Sequence, residues 1–223
     1  MDNDLRKFAR SGDHHHIDKW DDYFDVYDKH FKHLRGQTVN ILEIGVSHGG
    51  SLEMWLNYFG KDNCRVYGID LEPRSKQIEN KPYITVFTGD QGDPNFLKSV
   101  IAQTSPFDII IDDGSHIPRH QIASFKELYP HLKPDGIYLC EDLHTNYVPM
   151  YGGGLRRPDT FVEFIKDYID KLNFMHIQGY KPDYACRNTY SLHFYDSIAV
   201  IQRTSRERTR GMDRVQVGPG LWK

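Results

Sequence analysis

From Val39 to Asp142 the chain repeats one pattern: a short apolar run stops at glycine or an acidic residue, and a segment with helical spacing follows. Val39 to Ile44 leads into Gly45, Gly49 and Gly50, then a helix bearing Leu52, Trp55, Leu56 and Phe59, with Ser51 expected as its cap. Val66 to Ile69 stops at Asp70, and Ile84 to Phe87 stops at Gly89 and Asp90. Asp93 and Pro94 then suit the cap and first position of a helix turning Phe96, Leu97, Val100 and Ile101 inward. Phe107 to Ile111, which reads as a central parallel strand, stops at Asp112 and Asp113, and a helix with Ile122, Phe125, Leu128 and Leu132 follows. Ile137 to Cys140 stops at Glu141 and Asp142. Strand and helix in alternation place parallel strands in one sheet with helices on both faces, so the expected fold is α/β and doubly wound.

The flanks are read the same way. Trp20, Tyr23, Phe24, Tyr27, Phe31 and Leu34 recur at helical spacing, which predicts an N-terminal helix over about 17–35 that ends at Gly36. Thr160 and Glu163 form a capping box ahead of a helix with Phe161, Phe164, Ile165, Tyr168, Ile169 and Leu172, and apolar runs follow around Leu192 and over Ile198 to Ile201. One domain over residues 1–202 is expected. A basic tail, 203–223, carries Arg203, Arg206, Arg208, Arg210 and Arg214 and reads as a solvated end.

Composition narrows the function. With 28 basic and 31 acidic residues the net charge is −3, which gives no broad nucleic-acid or membrane footprint, and a small molecule is the default partner. Cys64, Cys140 and Cys186 are widely spaced and odd in number, which suits a reducing compartment. With no apolar leader and no apolar run of spanning length, a cytoplasmic protein is expected.

In open parallel sheets ligands bind outside the carboxyl ends of the strands, where this chain collects its glycines and acids. The first turn, Glu43 to Gly50, departs from GxGxxG at Ser47, which counts against a dinucleotide pyrophosphate and against a dehydrogenase. Asp70 is placed to accept from two ribose hydroxyls, and Asp90 with Gln91 to read an adenine edge. Each acid could equally cap the next helix; three in register favour a ligand. Asp113, Glu141 and Asp142 bring carboxylates from the ends of two successive strands, a set that suits a hard divalent cation such as Mg2+ or, without one, two solvated strand ends. His116 near such a cation could take the proton of an acidified hydroxyl, which is O-alkylation chemistry.

His116 and His120 have zinc spacing, but HExxH is absent and Pro118 interrupts the helix. His14, His15 and His16 read as ordinary side chains. Tyr151 to Gly154 is either a loop that closes over substrate or a plain connection.

These residues together resemble the class I S-adenosylmethionine-dependent methyltransferases. The resemblance is closer to the metal-dependent sugar O-methyltransferases that tailor macrolide and rhamnosyl antibiotics. It is carried by LEIGVSHGGSLEMW (Leu42 to Trp55), YGIDLEPR (Tyr67 to Arg74), GDQGDP (Gly89 to Pro94), IIIDDGSH (Ile109 to His116), HLKPDGIYLCEDLHTNY (His131 to Tyr147) and SLHFYDSIAVI (Ser191 to Ile201), and covers about residues 17–202.

The resemblance implies a Rossmann-like, mostly parallel seven-stranded sheet with its last strand antiparallel. It implies Mg2+ at Asp113, Glu141 and Asp142 and a general base at His116. The methyl donor, S-adenosyl-L-methionine, is expected along Glu43, Gly45, Gly49, Ser51, Asp70, Asp90, Gln91 and Asp112, and the acceptor near His144, Tyr147 and Tyr151. Members of that family carry a further N-terminal region, so the acceptor, expected to be a glycan or glycosylated small molecule with vicinal hydroxyls, and the oligomeric state stay open. Rival readings are a catechol-type methyltransferase, an antibiotic-tailoring hydroxylase, and a nucleoside-binding module without catalysis.

Overall fold

The structure is a computed structural model and describes residues 3–80, 83–209, 211, 215, 217 and 218. Its centre is a seven-stranded sheet of β1 (Val39–Ile44), β2 (Cys64–Asp70), β3 (Ile84–Thr88), β4 (Phe107–Asp112), β5 (Leu132–Cys140), β6 (Thr189–Tyr195) and β7 (Ile198–Arg203), in the order β3-β2-β1-β4-β5-β7-β6. β1 to β5 pair in parallel, while β7 runs antiparallel to both β5 and β6. This is the doubly wound α/β architecture expected, with strand order reversing between β1 and β4.

Alternation along the strands assigns the faces. Val39, Ile41, Val66, Ile109, Ile111, Ile137, Leu139 and Val200 pack against α1 (Asp4–Ser11), α2 (Tyr23–Phe31) and α3 (Gly50–Phe59). Leu42, Ile44, Ile69, Ile110, Tyr138, Cys140 and Ile201 face the other layer: α4 (Pro94–Ile101), α5 (Pro118–Leu128), α6 (Phe161–Leu172) and α7 (Tyr184–Asn188). Among the described residues no helix is long and apolar enough to cross a membrane.

Local signals mostly act where the sequence places them. Asp93 accepts from the Asn95 N–H ahead of Pro94, and Thr160 accepts from the Glu163 N–H. Three expectations need correction, and one element, α1, was not anticipated. The helix begins at Tyr23 rather than near residue 17, because Lys19 is drawn into the sheet's carboxyl end; Trp20, expected on the core face, is 62% exposed. The charged N-terminal stretch forms α1, capped by Asn3 and burying Leu5. α3 is capped by Gly49 at φ +85°, not by Ser51, whose side chain is buried. Leu132, expected on a helix, opens β5.

The tail also packs beyond residue 202: Thr204 N–H donates to Asn188 O, and Arg208 donates to Leu172 O and lies over the Phe174 ring. Arg210 and Arg214 lie outside the described residues.

Phe125, 1% exposed on α5, is ringed by Tyr129, Tyr138, Phe161, Phe164 and Tyr168 with centroids 4.7 to 5.8 Å away. It joins α5, α6 and β5. Phe125→Ala is expected to lower the unfolding free energy by about 3–5 kcal/mol, read from urea denaturation.

Candidate active site

A cleft of about 970 Å³ opens at the carboxyl ends of β1, β2, β4 and β5. Its walls include Gly45, Ser51, Asp70, Asp90, Gln91, Asp113, His116, Glu141, Asp142 and His144 from the predicted set. The segment before α2, from His16 to Asp21, covers one side.

The donor-side residues divide by what their polar atoms already do. Asp70 Oδ2 accepts from the Val46 and Ser47 N–H groups at 2.9 and 2.8 Å, and Oδ1 from Glu72, so this carboxylate also shapes the turn after β1. Gly45, at φ +93°, lies so close to β4 that an added Cβ would stand 2.0 Å from the Asp113 carbonyl oxygen. Asp90 Oδ1 accepts from Gly92 N–H and lies 3.9 Å from His120 Nδ1, and the residue lines the cleft.

Gln91, expected on an adenine edge, is spent on protein groups. Its amide N–H groups go to Asp112 Oδ1 and Ser124 Oγ, and its oxygen takes the Ser115 N–H at 2.6 Å. Asp112 is buried on the opposite face from Asp113, between Gln91 and the Tyr138 hydroxyl, and burial raises its carboxyl above the ordinary range. Both brace the loop 112–116 from behind. Glu43 likewise lies behind the cleft wall, accepting from Trp55 Nε1 at 2.6 Å, and Gly49 packs on Ile78.

On the other face, strand register brings acids together. Ile44, Asp112 and Cys140 are in line across β1, β4 and β5, so Asp113 and Glu141 follow one position later at neighbouring strand ends. Lys19 Nζ sits among them, 2.5 Å from Asp113 Oδ2, 3.0 Å from Glu141 Oε2 and 3.3 Å from Glu43 Oε1. The second oxygen of Glu141 accepts from the Tyr27 hydroxyl at 2.6 Å, and Asp142 Oδ1 accepts from Tyr23 at 2.7 Å. Burial pushes the Lys19 ammonium down, but Asp113, Glu141 and Glu43 outweigh it and hold it protonated. Burial, with repulsion from Asp113, drives Glu141 well above the ordinary carboxylate range. Burial takes Asp113 up to about 7 against the pull of Lys19.

Asp113, His116 and Asp142 each present a ligand atom, all within 4.8 Å of one another. Glu141 stands outside that trio, its two oxygens on Tyr27 and Lys19. His116 Nε2 lies 3.6 Å from Asp142 Oδ2, while its buried Nδ1 has no partner among the described residues. His116 and Asp142 both hold left-handed backbone, φ +56° and +53°, so each is turned off its strand into the cleft at some conformational cost. This convergence of oxygen donors, with an unpartnered imidazole nitrogen beside it, fits a hard divalent cation.

His120 is not part of the trio: its ring meets Ser115 Oγ. His14 stacks on Phe8, His15 meets Glu53 and His16 touches His48, each an ordinary contact.

At the mouth, His144 lies edge-to-face with Trp20, centroids 6.1 Å apart. Tyr147 and Tyr151, predicted near the acceptor, do not line the cleft. Gly153 and Gly154 donate to Val148 O and Asn146 O, so the glycine segment is a hydrogen-bonded turn.

Lys19, Tyr23 and Tyr27 are the site residues that sequence reasoning missed. The tyrosines had a signal, since two hydroxyls four residues apart on a buried helical face each need a partner. Lys19 had none locally.

Residues 42–143 match the model of a family described as a methyltransferase domain. Demethylmacrocin O-methyltransferase of Streptomyces fradiae is 39% identical over 190 residues, 79% of this chain and 47% of that protein. Mycinamicin VI 2''-O-methyltransferase of Micromonospora griseorubida is 37% identical over the same shares. The structure of the MycE methyltransferase from the mycinamycin biosynthetic pathway, in complex with Mg, SAH and mycinamycin VI, superposes with a TM-score of 0.84 at 32% identity, over 95% of this chain and 56% of that one. The chain spans about half the length of the curated relatives it matches. The chain carries a methyltransferase domain that it shares with these proteins.

The raised Asp113 carboxyl has a stability consequence. The folded state holds that proton more tightly than an unfolded chain, where the pKa is 3.8, so its contribution is full below pH 3.8 and is lost as pH rises through about 7. Asp113→Asn is therefore expected to raise the metal-free melting temperature at pH 8 and to flatten its pH dependence between 4 and 7, measured by calorimetry.

Proposed function

With a methyltransferase domain as premise, we propose that the chain is an S-adenosylmethionine-dependent, Mg2+-dependent O-methyltransferase acting on a hydroxyl of a sugar in a glycan or glycosylated small molecule. The observation that carries this reading is the convergence of Asp113, His116 and Asp142 on one side of a cleft whose other side is the glycine turn and Asp70. Similarity to sugar O-methyltransferases of antibiotic pathways supports the acceptor class.

Asp113 and Asp142 would hold the cation, with Glu141 reaching the same acidic corner through the Oε2 that Lys19 now holds. Asp70, Asp90, Gly45 and Ser51 would border the donor, with Gln91, Asp112, Glu43 and Gly49 shaping that wall from behind. When bound, S-adenosylmethionine supplies an electrophilic methyl group, and Mg2+ acidifies and orients an acceptor hydroxyl.

The chain's own part is proton removal and positioning. His116 Nε2, 3.6 Å from Asp142 Oδ2 and grouped with Asp113, is the base that takes the acceptor proton. Strong preference of Mg2+ for oxygen leaves the imidazole free for this role. Two vicinal hydroxyls on the acceptor suit a cation held by few carboxylates, and Trp20 with His144 at the mouth gives a sugar ring an apolar face to rest on.

Calorimetric titration with S-adenosylhomocysteine should show binding, and NAD none. In His116→Ala, S-adenosylhomocysteine affinity should stay within about threefold while turnover falls on the order of a hundredfold or more. Wild-type turnover in that variant would remove His116 from the mechanism. EDTA should abolish methyl transfer to a vicinal diol sugar and added Mg2+ restore it; activity indifferent to chelator would sink the metal assignment.

A further inference from the structure

Residues 14–22 are held to the body at separate points rather than packed as a helix or strand. The His15 N–H donates to Glu53 Oε2 at 2.9 Å. The His15 and His16 carbonyls press on Gly50, where a Cβ would stand 2.2 and 2.5 Å from them. Asp21 pairs with Arg6 and Arg10. Between these anchors Lys19 dips inward until its side chain is 3% exposed, and its neighbour Trp20 stays at the cleft mouth.

An ammonium group has three N–H donors, and those of Lys19 meet three carboxylates: Asp113, Glu141 and Glu43. Glu43 and Glu141 each commit their other oxygen to a fixed donor, Trp55 Nε1 and the Tyr27 hydroxyl. Lys19 thus holds the one oxygen of Glu141 that could change partner, and Asp113 Oδ2 as well. A Mg2+ ion binds carboxylate oxygen at about 2.0–2.1 Å, so on these oxygens it would stand within a few ångströms of the Lys19 ammonium, and the two positive charges repel strongly in a corner shielded from water.

We propose that Lys19 is a tethered monocation that competes with the divalent ion for Asp113 and Glu141, so that metal loading unseats the 14–22 strap from the cleft. The inference rests on the metal reading above. It gives the strap a function: without metal, Lys19 keeps three carboxylates from repelling one another in a dry corner, and with metal the released segment, Trp20 included, rearranges at the mouth where acceptor enters.

The test uses the whole chain and Mg2+ alone. Calorimetry should show Lys19→Met binding Mg2+ tenfold or more tighter than wild type, because the repulsion between ammonium and dication is removed. Lys19→Arg, which keeps the charge, should bind no tighter than wild type. In the unaltered chain, hydrogen exchange over residues 14–22 should rise when Mg2+ is added. Equal or weaker Mg2+ binding by Lys19→Met, or strap exchange unchanged by Mg2+ that calorimetry shows to be bound, would overturn the proposal while leaving the metal assignment standing. If neither wild type nor Lys19→Met binds Mg2+, the metal assignment fails and this inference with it. Should Lys19→Met fail to fold by circular dichroism, the exchange experiment on the unaltered chain decides alone.

Discussion

Carboxylates gathered at neighbouring strand ends, out of reach of bulk water, repel one another and pay for their own desolvation unless a cation stands among them. In this chain Glu43, Asp113 and Glu141 converge in this way, and the cation is the ammonium of Lys19, brought from a segment far away in sequence. Much else in the structure answers to that corner. Helix α2 starts late so that Lys19 can reach it, and two tyrosines of α2 turn their hydroxyls to Glu141 and Asp142. Trp55 of α3 holds the far oxygen of Glu43.

The sheet sorts these groups by parity. Residues of one strand alternate between faces, so Asp112 and Asp113, adjacent in the chain, do different work. Asp112 points into the layer of α4 to α6 and braces the loop through Gln91 and Tyr138, while Asp113 faces the cleft beside Lys19. Left-handed backbone at His116 and Asp142 then turns both off the ends of their strands toward the same space. A base, oxygen donors and a donor-binding turn thereby meet in one cleft, which is what transfer of a methyl group to an acidified hydroxyl requires.

Much of the fold was legible because its signals are local. Apolar runs of strand length, Asp93 before Pro94, and Thr160 three residues before Glu163 each act over a few residues and reappear as elements with the expected caps. Where a local signal failed, a tertiary force had overridden it. The helical spacing of Trp20 with Tyr23, Tyr27 and Phe31 is real, but burying Lys19 among carboxylates outweighs one more helical turn. Ser51 is a good capping residue, yet Gly49 takes the position because the chain must turn at positive φ there, tight against Ile78. Gln91 lines the cleft with its amide committed to the loop 112–116, and Tyr147 falls outside the cleft.

By itself the sequence determined that strands and helices alternate, that acids and glycines gather at the strands' carboxyl ends, and that Asp113, His116, Glu141 and Asp142 lie close to one another. Those conclusions need only period, turn chemistry and the rule that parallel strands end on the same side. Only the tertiary structure decided which oxygens are free. Glu43, Gln91 and Asp112 are tied to protein donors, Glu141 is shared between Tyr27 and Lys19, and Lys19 occupies the acidic corner. Hydrogen-bond partners and charge compensation are properties of positions in space, set by groups up to 122 residues apart, and no spacing along the chain encodes them.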